Sequence, residues 1–258
     1  MRGLQGRRAL VTGGGKGIGR AVALDLARAG AAVAVAARTE ADVAAVAAEA
    51  RGLGVPAAAV VADVTRPESV REMFAGARRA IGPLDIVVCG AGVAPSAPLV
   101  KTTEEQWRAA VETNLSGCFY CLRESLGSLA EAGWGRVVVL ASIAGKLGAP
   151  YISAYAASKH GVLGLVKCAA LEVASKGVTV NAVCPGYVDT PMTDVSVARM
   201  VEKTGHSAAE IRKRLADASP QKRLFTAEEV SALVLFLCGD DARGITGQAL
   251  NLDGGTVV

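Results

Sequence analysis

Short runs of aliphatic residues punctuate this chain at 8–11, 32–37, 56–62, 84–89, 136–141, 178–183 and 248–252, and most are nearly continuous in Ala, Val, Leu and Ile rather than alternating with polar residues. Such runs predict strands buried on both faces. Between them the apolar positions shift to helical spacing, as in Ile18, Val22, Leu26 and Ala29. The same reading predicts helices at about 41–51, 68–80, 103–129, 153–174 and 226–238. Thr103 with Gln106 has the pattern of a capping box opening the third of these, and Thr226 caps the last. Sustained alternation of strand and helix predicts an α/β fold on a parallel sheet. Residues 191–224 break the rhythm with charged helical patches and no strand, and are expected to form a flap over a site.

The 258 residues fit one domain, 1–258, of an α/β fold. With 51% hydrophobic and 20% charged residues the chain is not of the disordered class, and with 4% aromatics its core is expected to rest on Ala, Val and Leu. The formal charge of +4 is dispersed apart from clusters such as Arg212-Lys213-Arg214, which leaves no nucleic-acid footprint. The longest aliphatic runs, such as 31–37, fall short of the roughly 20 residues that span a bilayer, and the apolar stretch after the basic start is too short for a secretion signal. A soluble, cytoplasmic protein is expected. The cysteines Cys89, Cys118, Cys121, Cys168, Cys184 and Cys238 lie scattered in apolar segments and are expected to be free thiols. Cys118 and Cys121 make a CxxC, but no second pair or nearby His completes a metal set, so packing is expected and no metal site.

The candidate chemistry falls at the carboxyl ends of the expected strands, the edge where open α/β sheets bind ligands. Thr12-Gly13-Gly14-Gly15-Lys16-Gly17-Ile18-Gly19 joins a strand to a helix. Glycines there let the backbone approach a pyrophosphate, and the helix N-terminus offers unpaired N–H groups. Gly13, Gly17 and Gly19 are spaced as TGxxxGxG rather than GxGxxG. Arg38 ends the second strand, about 20 residues on, where an NAD enzyme would hold the ribose hydroxyls with a carboxylate. Arg38 together with Lys16 predicts pairing with a 2′-phosphate, hence NADP(H) in preference to NAD(H). Glu40 and Asp42 pull the other way unless they serve only the first turn of the following helix. Asp63 either accepts from an adenine amino group or opens a helix, and Gly90-Ala91-Gly92 leaves room for a cofactor. Asn114, amid Val111, Leu115 and Phe119, is either a satisfied buried amide or a functional one. Ser142 follows a strand. Tyr155 and Lys159 stand at i and i+4 and share a helix face. The ammonium is expected to favour the phenolate, which would give a tyrosine acid/base for an alcohol oxygen. His160 is expected to be packed and His206 solvated.

With these residues in place the chain resembles, end to end, the compact short-chain dehydrogenases/reductases. Thr12 to Gly19, Asp63, Gly90-Ala91-Gly92, Asn114, Ser142, Tyr155, Lys159 and Pro185-Gly186 occur in that family's order and approximate spacing. The resemblance implies a doubly wound, Rossmann-like fold with a seven-stranded parallel sheet, helices on both faces, and a homotetramer formed through the helices bearing Asn114 and Tyr155. It implies that Tyr155 exchanges a proton with the substrate oxygen, Ser142 positions that oxygen, Lys159 binds the nicotinamide ribose and lowers the Tyr155 pKa, and Asn114 holds a relay water. It further implies cofactor contacts at Gly13, Gly15, Lys16, Gly17, Ile18, Gly19, Arg38, Asp63, Val64, Gly90, Ala91, Gly92, Pro185, Gly186, Val188 and Thr190, besides Tyr155 and Lys159. One departure is visible, because the family commonly has Asn-Asn-Ala-Gly where this chain has Cys89-Gly90-Ala91-Gly92. The segments 112–117, 157–162 and 181–192 look most like aromatic-polyketide ketoreductases and their 3-oxoacyl reductase and 3-hydroxyacyl dehydrogenase relatives. The implied activity is reduction of a ketone with NADP(H), the substrate being a small carbonyl compound, free or carried on acyl carrier protein or coenzyme A. The alternatives are an NAD-dependent dehydrogenase of a secondary alcohol or 3-hydroxyacyl thioester and a silent dinucleotide-binding scaffold, against which Ser142, Tyr155 and Lys159 speak.

Overall fold

Seven strands, β1 (Arg8–Thr12), β2 (Ala32–Ala37), β3 (Ala57–Val61), β4 (Ile86–Cys89), β5 (Gly135–Leu140), β6 (Val178–Pro185) and β7 (Ala249–Leu252), form one sheet in a computed structural model that describes residues 3–257. They hydrogen-bond in the order β3-β2-β1-β4-β5-β6-β7, every pair parallel. Their near-continuous apolar composition follows from the pleat. In β1, Leu10 faces one helical layer while Ala9 and Val11 face the other, and in β4 the same division puts Val87 and Cys89 opposite Ile86 and Val88.

Helices α1 (Gly17–Arg28), α2 (Glu40–Gly52) and α9 (Ala227–Cys238) cover one face, and α3 (Pro67–Ile81), α5 (Gly117–Ala132) and α6 (Ser153–Val173) the other. Phe74 and Met73 of α3 and Leu24 and Leu26 of α1 are among the largest side chains wholly withdrawn from water. The order of strands reverses between β1 and β4, where Thr12 stands beside Cys89. The carboxyl ends of these two strands therefore flank the topological switch point, where such sheets leave a crevice.

The helix expected from Thr103 to Leu129 is divided. Thr103 closes its capping box with Gln106 at the start of α4 (Glu104–Ala110), as read from the sequence, but residues Val111–Ser116 form a π-helical stretch before α5 begins. A π turn inserts extra backbone into a helix and shifts the faces beyond it. A periodicity argument over two apolar helices cannot register that insertion. The break contains Asn114.

Residues 191–224 hold two helices, α7 (Pro191–Thr204) and α8 (Ala208–Asp217), the second opened by a Ser207–Glu210 capping box. They bury a small core of their own, Val197, Ile211 and Leu215, with Met200, Val201 and Leu224 packed against it. The excursion is stapled at its base: the Phe225 N–H donates to the Tyr187 carbonyl oxygen at 2.9 Å, and the Asp189 N–H to that of Phe225 at 2.8 Å. Among the described residues no helix is long and apolar enough to cross a membrane.

Candidate active site

The crevice is assembled first by Thr12. Its Oγ1 accepts N–H bonds from Gly90 at 3.1 Å and Ala91 at 3.4 Å and donates to the Val88 carbonyl oxygen at 3.4 Å, so one hydroxyl ties the end of β1 to the chain leaving β4. This tie joins the strands where the second Asn of the family's Asn-Asn-Ala-Gly, replaced here by Gly90, would be expected to support the sheet. Cys89 instead points into the core beside α5, in the cluster that holds Cys118 and Cys121, and all three thiols are free and buried. Thr12 was not singled out as a site residue, although a hydroxyl ending an aliphatic strand is a legible signal. Gly13 follows with φ of +67°, and a Cβ there would come within 2.6 Å of the Gly90 carbonyl oxygen, so only glycine keeps the two strand ends this close.

The N-terminus of α1 is left open toward the crevice. Lys16, its N-cap, makes no side-chain cap, and the first turn has no acidic residue. Its N–H groups and the positive end of its dipole thus remain for an anion, and with the glycine cradle they fit a dinucleotide pyrophosphate. The 2′-phosphate end differs from expectation. Lys16 pairs with Asp42 at 3.0 Å rather than standing free beside Arg38, because the first turn of α2 packs directly on Gly15, whose added Cβ would lie 2.8 Å from that of Asp42. Arg38 is exposed and has no ion pair among the described residues. Asp63 accepts from the Thr65 N–H at 3.0 Å and hydroxyl at 2.8 Å. Burial raises its pKa, yet the Thr65 hydrogen bonds and the charges of Arg38 and Arg66 outweigh that and hold it below its usual value. The side chain of Val64 is turned into the core, against Gly117.

Ser142 lies two residues beyond β5, with its Oγ accepting the Ala144 N–H at 3.1 Å to start a tight turn. A Cβ on Gly145 in that turn would come 2.8 Å from the Lys159 carbonyl oxygen. The absence of a side chain there lets the turn press on α6 and brings Ser142 to Tyr155. Tyr155, Ser158 and Lys159 of α6 then converge with Asn114. Lys159 is only 5% exposed, and its Nζ donates to the Leu140 carbonyl oxygen at 2.8 Å and stands 5.7 Å from the centre of the Tyr155 ring. Burial lowers its pKa to about 8.

The Tyr155 phenol is shifted the opposite way from the sequence expectation. Burial raises its pKa, Ser142 hydrogen bonding acts to lower it, and the neighbouring Tyr187 and Cys184 raise it further. Desolvation of the phenol is the largest of these effects. Asn114, left open between two readings, is buried with its side chain engaged. Its Nδ2 donates to the Val93 carbonyl oxygen at 3.0 Å and to Ser158 Oγ at 2.9 Å, and its Oδ1 accepts the Val93 N–H at 2.9 Å. The Ser158 hydroxyl in turn donates to the Tyr155 carbonyl oxygen at 2.7 Å. This serine was missed as a positioning residue, though its place between Tyr155 and Lys159 on a buried face pointed to it.

Pro185 pairs with Leu252 at the end of β6, the Gly186 N–H donates to the Leu252 carbonyl oxygen at 3.0 Å, and Val188 bridges to Phe225. Thr190 lies against Gly17, close enough that a Cβ on the glycine would meet it at 3.4 Å. The end of β6 and the glycine turn thus share one rim. His160 is exposed rather than packed, with Nδ1 at 2.9 Å from the Ala156 carbonyl oxygen. His206 lies at the surface, 3.0 Å from Arg214. Among the described residues no group of His, Cys, Asp and Glu is placed to hold a metal.

A family model described as enoyl-(acyl carrier protein) reductase matches residues 13–257. D-beta-hydroxybutyrate dehydrogenase of Rhizobium meliloti is 37% identical over 253 residues, covering 96% of this chain and 98% of that protein. The 3-oxoacyl-(acyl-carrier-protein) reductase FabG of Staphylococcus epidermidis is 35% identical over 250 residues, with 96% and 98% covered. Among solved structures, a variant of actinorhodin polyketide ketoreductase with NADPH superposes with a TM-score of 0.93 at 37% identity, with 97% of each chain covered. The seven-stranded parallel sheet agrees with these likenesses over nearly the whole length, and the chain belongs to the short-chain dehydrogenase/reductase family of oxidoreductases.

Proposed function

We propose that this protein is an NADP(H)-dependent ketoreductase that converts a ketone of the 3-oxoacyl or polyketide type to a secondary alcohol. The observation that carries this reading is the convergence of the Tyr155 phenol with Ser142 and the buried Lys159, whose Nζ stands 5.7 Å from the ring centre. A protonated phenol is an acid, and ketone reduction consumes a proton at oxygen. NADPH, when bound, supplies the hydride to the carbonyl carbon. Tyr155 donates its proton to the carbonyl oxygen as negative charge develops there, and Ser142 orients that oxygen by hydrogen bonding. Lys159 contributes positive charge beneath the ring, stabilises the transient phenolate, and meets the ribose of the cofactor. Because both Nδ2 protons of Asn114 are spent on Val93 and Ser158, its side chain acts as a clamp on α6, and any water relay at this position falls to its backbone.

The glycine turn, the uncapped α1 and exposed Arg38 would hold the dinucleotide, with Asp63 and Val64 at its adenine and Gly90, Gly92, Pro185, Gly186, Val188 and Thr190 along its length. The NADPH in the related ketoreductase structure supports the choice of cofactor. The Lys16–Asp42 pair favours one second reading, an NAD-dependent dehydrogenase, and the hydroxybutyrate dehydrogenase relative supports its oxidative direction. We further propose that residues 191–224 act as a flap over the substrate, that the protein is cytoplasmic, and that exposed Phe119 and Leu171 on α5 and α6 belong to a homotetramer interface. The testing experiment follows absorbance of NADPH and, separately, NADH with 3-oxoacyl thioesters and cyclic ketones. Faster turnover with NADPH is expected; turnover confined to NAD⁺ and a 3-hydroxyacyl substrate would replace this reading with the second.

A further inference from the structure

We infer that Arg199 is a specificity residue that receives a carboxylate or phosphate at the far end of an extended substrate, an assignment that rests on the ketoreductase reading above. Arg199 lies on α7, half-buried, and its Nη1 donates to the Ser96 hydroxyl oxygen at 3.4 Å. Among the described residues its guanidinium has no ion pair, whereas nearby Arg212 is held by both Asp189 and Asp194. Ser96 belongs to the segment that begins at Gly92, next to the Asn114 amide and the Lys159 ammonium. The following residue, Ala97, donates its N–H to the Tyr151 carbonyl oxygen at 2.8 Å, which joins this segment to the loop leading into α6. Arg199 therefore reaches from the two-helix excursion to the opposite wall of the catalytic crevice.

The helix that carries it is graded along its length. α7 starts at Pro191, beside Thr190 and Gly17, and eight residues of helix advance about 12 Å to Arg199. Met192 and Val195 share the Arg199 face at helical spacing and are 44% and 60% exposed, while Val197 on the opposite face is buried in the small core with Ile211 and Leu215. The Arg199 face of α7 is thus apolar toward the glycine turn and cationic toward Ser96. Tyr151, exposed and with φ of +71°, is a strained aromatic on the loop across from it. A ligand matching that order is a ketone whose apolar chain leads to an anion that takes the planar fork of an arginine.

The test uses the full-length protein, NADPH, and one 3-oxoacyl group presented in three ways: as the neutral pantetheine thioester, as the 4′-phosphopantetheine thioester, and within a keto acid of similar length ending in carboxylate. For the wild type, KM for at least one anionic form is expected to be tenfold or more below that of the neutral thioester, and the lower of the two identifies phosphate or carboxylate as the anion. Arg199→Ala should erase that difference by raising KM for the anionic form, with kcat and the NADPH Kd changed less than about twofold, and Arg199→Lys should restore part of it. Equal KM for all three forms in the wild type, or an Arg199→Ala effect of the same size on the neutral thioester, would overturn the assignment and make Arg199 a latch to Ser96. Absence of NADPH-dependent reduction of any form by the wild type would overturn the ketoreductase reading itself, and the anion assignment with it.

Discussion

Lys159 Nζ donates to the carbonyl oxygen of Leu140 at 2.8 Å, so the one ammonium buried beneath Tyr155 is tied to the last residue of β5. Burial lowers the Lys159 pKa to about 8, against an ordinary value of 10.5. The charge is therefore present below about pH 8 and lost above it. The Kd for NADPH, measured by nicotinamide fluorescence, is expected to rise by roughly fivefold between pH 7 and 9.5 in the wild type. Lys159→Met should bind weakly at both values, and a flat wild-type profile would mean that the ammonium does not serve the cofactor.

Tyr155→Phe removes the proton and keeps the ring. Turnover of ketone with NADPH should fall by at least roughly 100-fold, the low end of what a positioned general acid contributes, while cofactor affinity stays within about threefold. Comparable turnover in the variant would assign the acid to another group, and a neighbouring phenol is Tyr187.

Cofactor preference is expected to depend on Arg38 more than on Lys16, because Asp42 occupies the latter. Arg38→Asp should weaken NADPH by roughly 10- to 100-fold, the size of a charged hydrogen bond, with little change for NADH. Asp42→Ala frees Lys16 and should tighten NADPH by about threefold. Isothermal titration of both cofactors checks the pair, and equal losses for NADPH and NADH in Arg38→Asp would remove Arg38 from phosphate recognition.

Cys89→Asn restores the residue common in the family but places an amide against Cys118 and Cys121, beside a cavity of only about 10 Å³. With Thr12 already making the ties to Val88, Gly90 and Ala91, the new amide finds few partners. A loss of roughly 1–3 kcal/mol in urea unfolding is expected. A gain in stability would show instead that the amide reaches backbone that Thr12 leaves unsatisfied.

Strand and helix order, the glycine turn and the shared face of Tyr155 and Lys159 were determined by the sequence alone, because they rest on local periodicity and on spacings within one element. Strand limits moved by only a residue or two, as where β6 runs on to Pro185 through its pairing with Leu252. What the tertiary structure decided lies between elements distant in the chain. The pairing of Lys16 with Asp42 needs α2 to pack on the glycine turn, and the tie from Thr12 to Gly90 needs β1 and β4 to be neighbours. The π stretch at Asn114 depends on backbone that an apolar pattern does not report. The Tyr155 phenol is pushed up chiefly by desolvation, a property of everything packed around it, which no spacing within one helix reports.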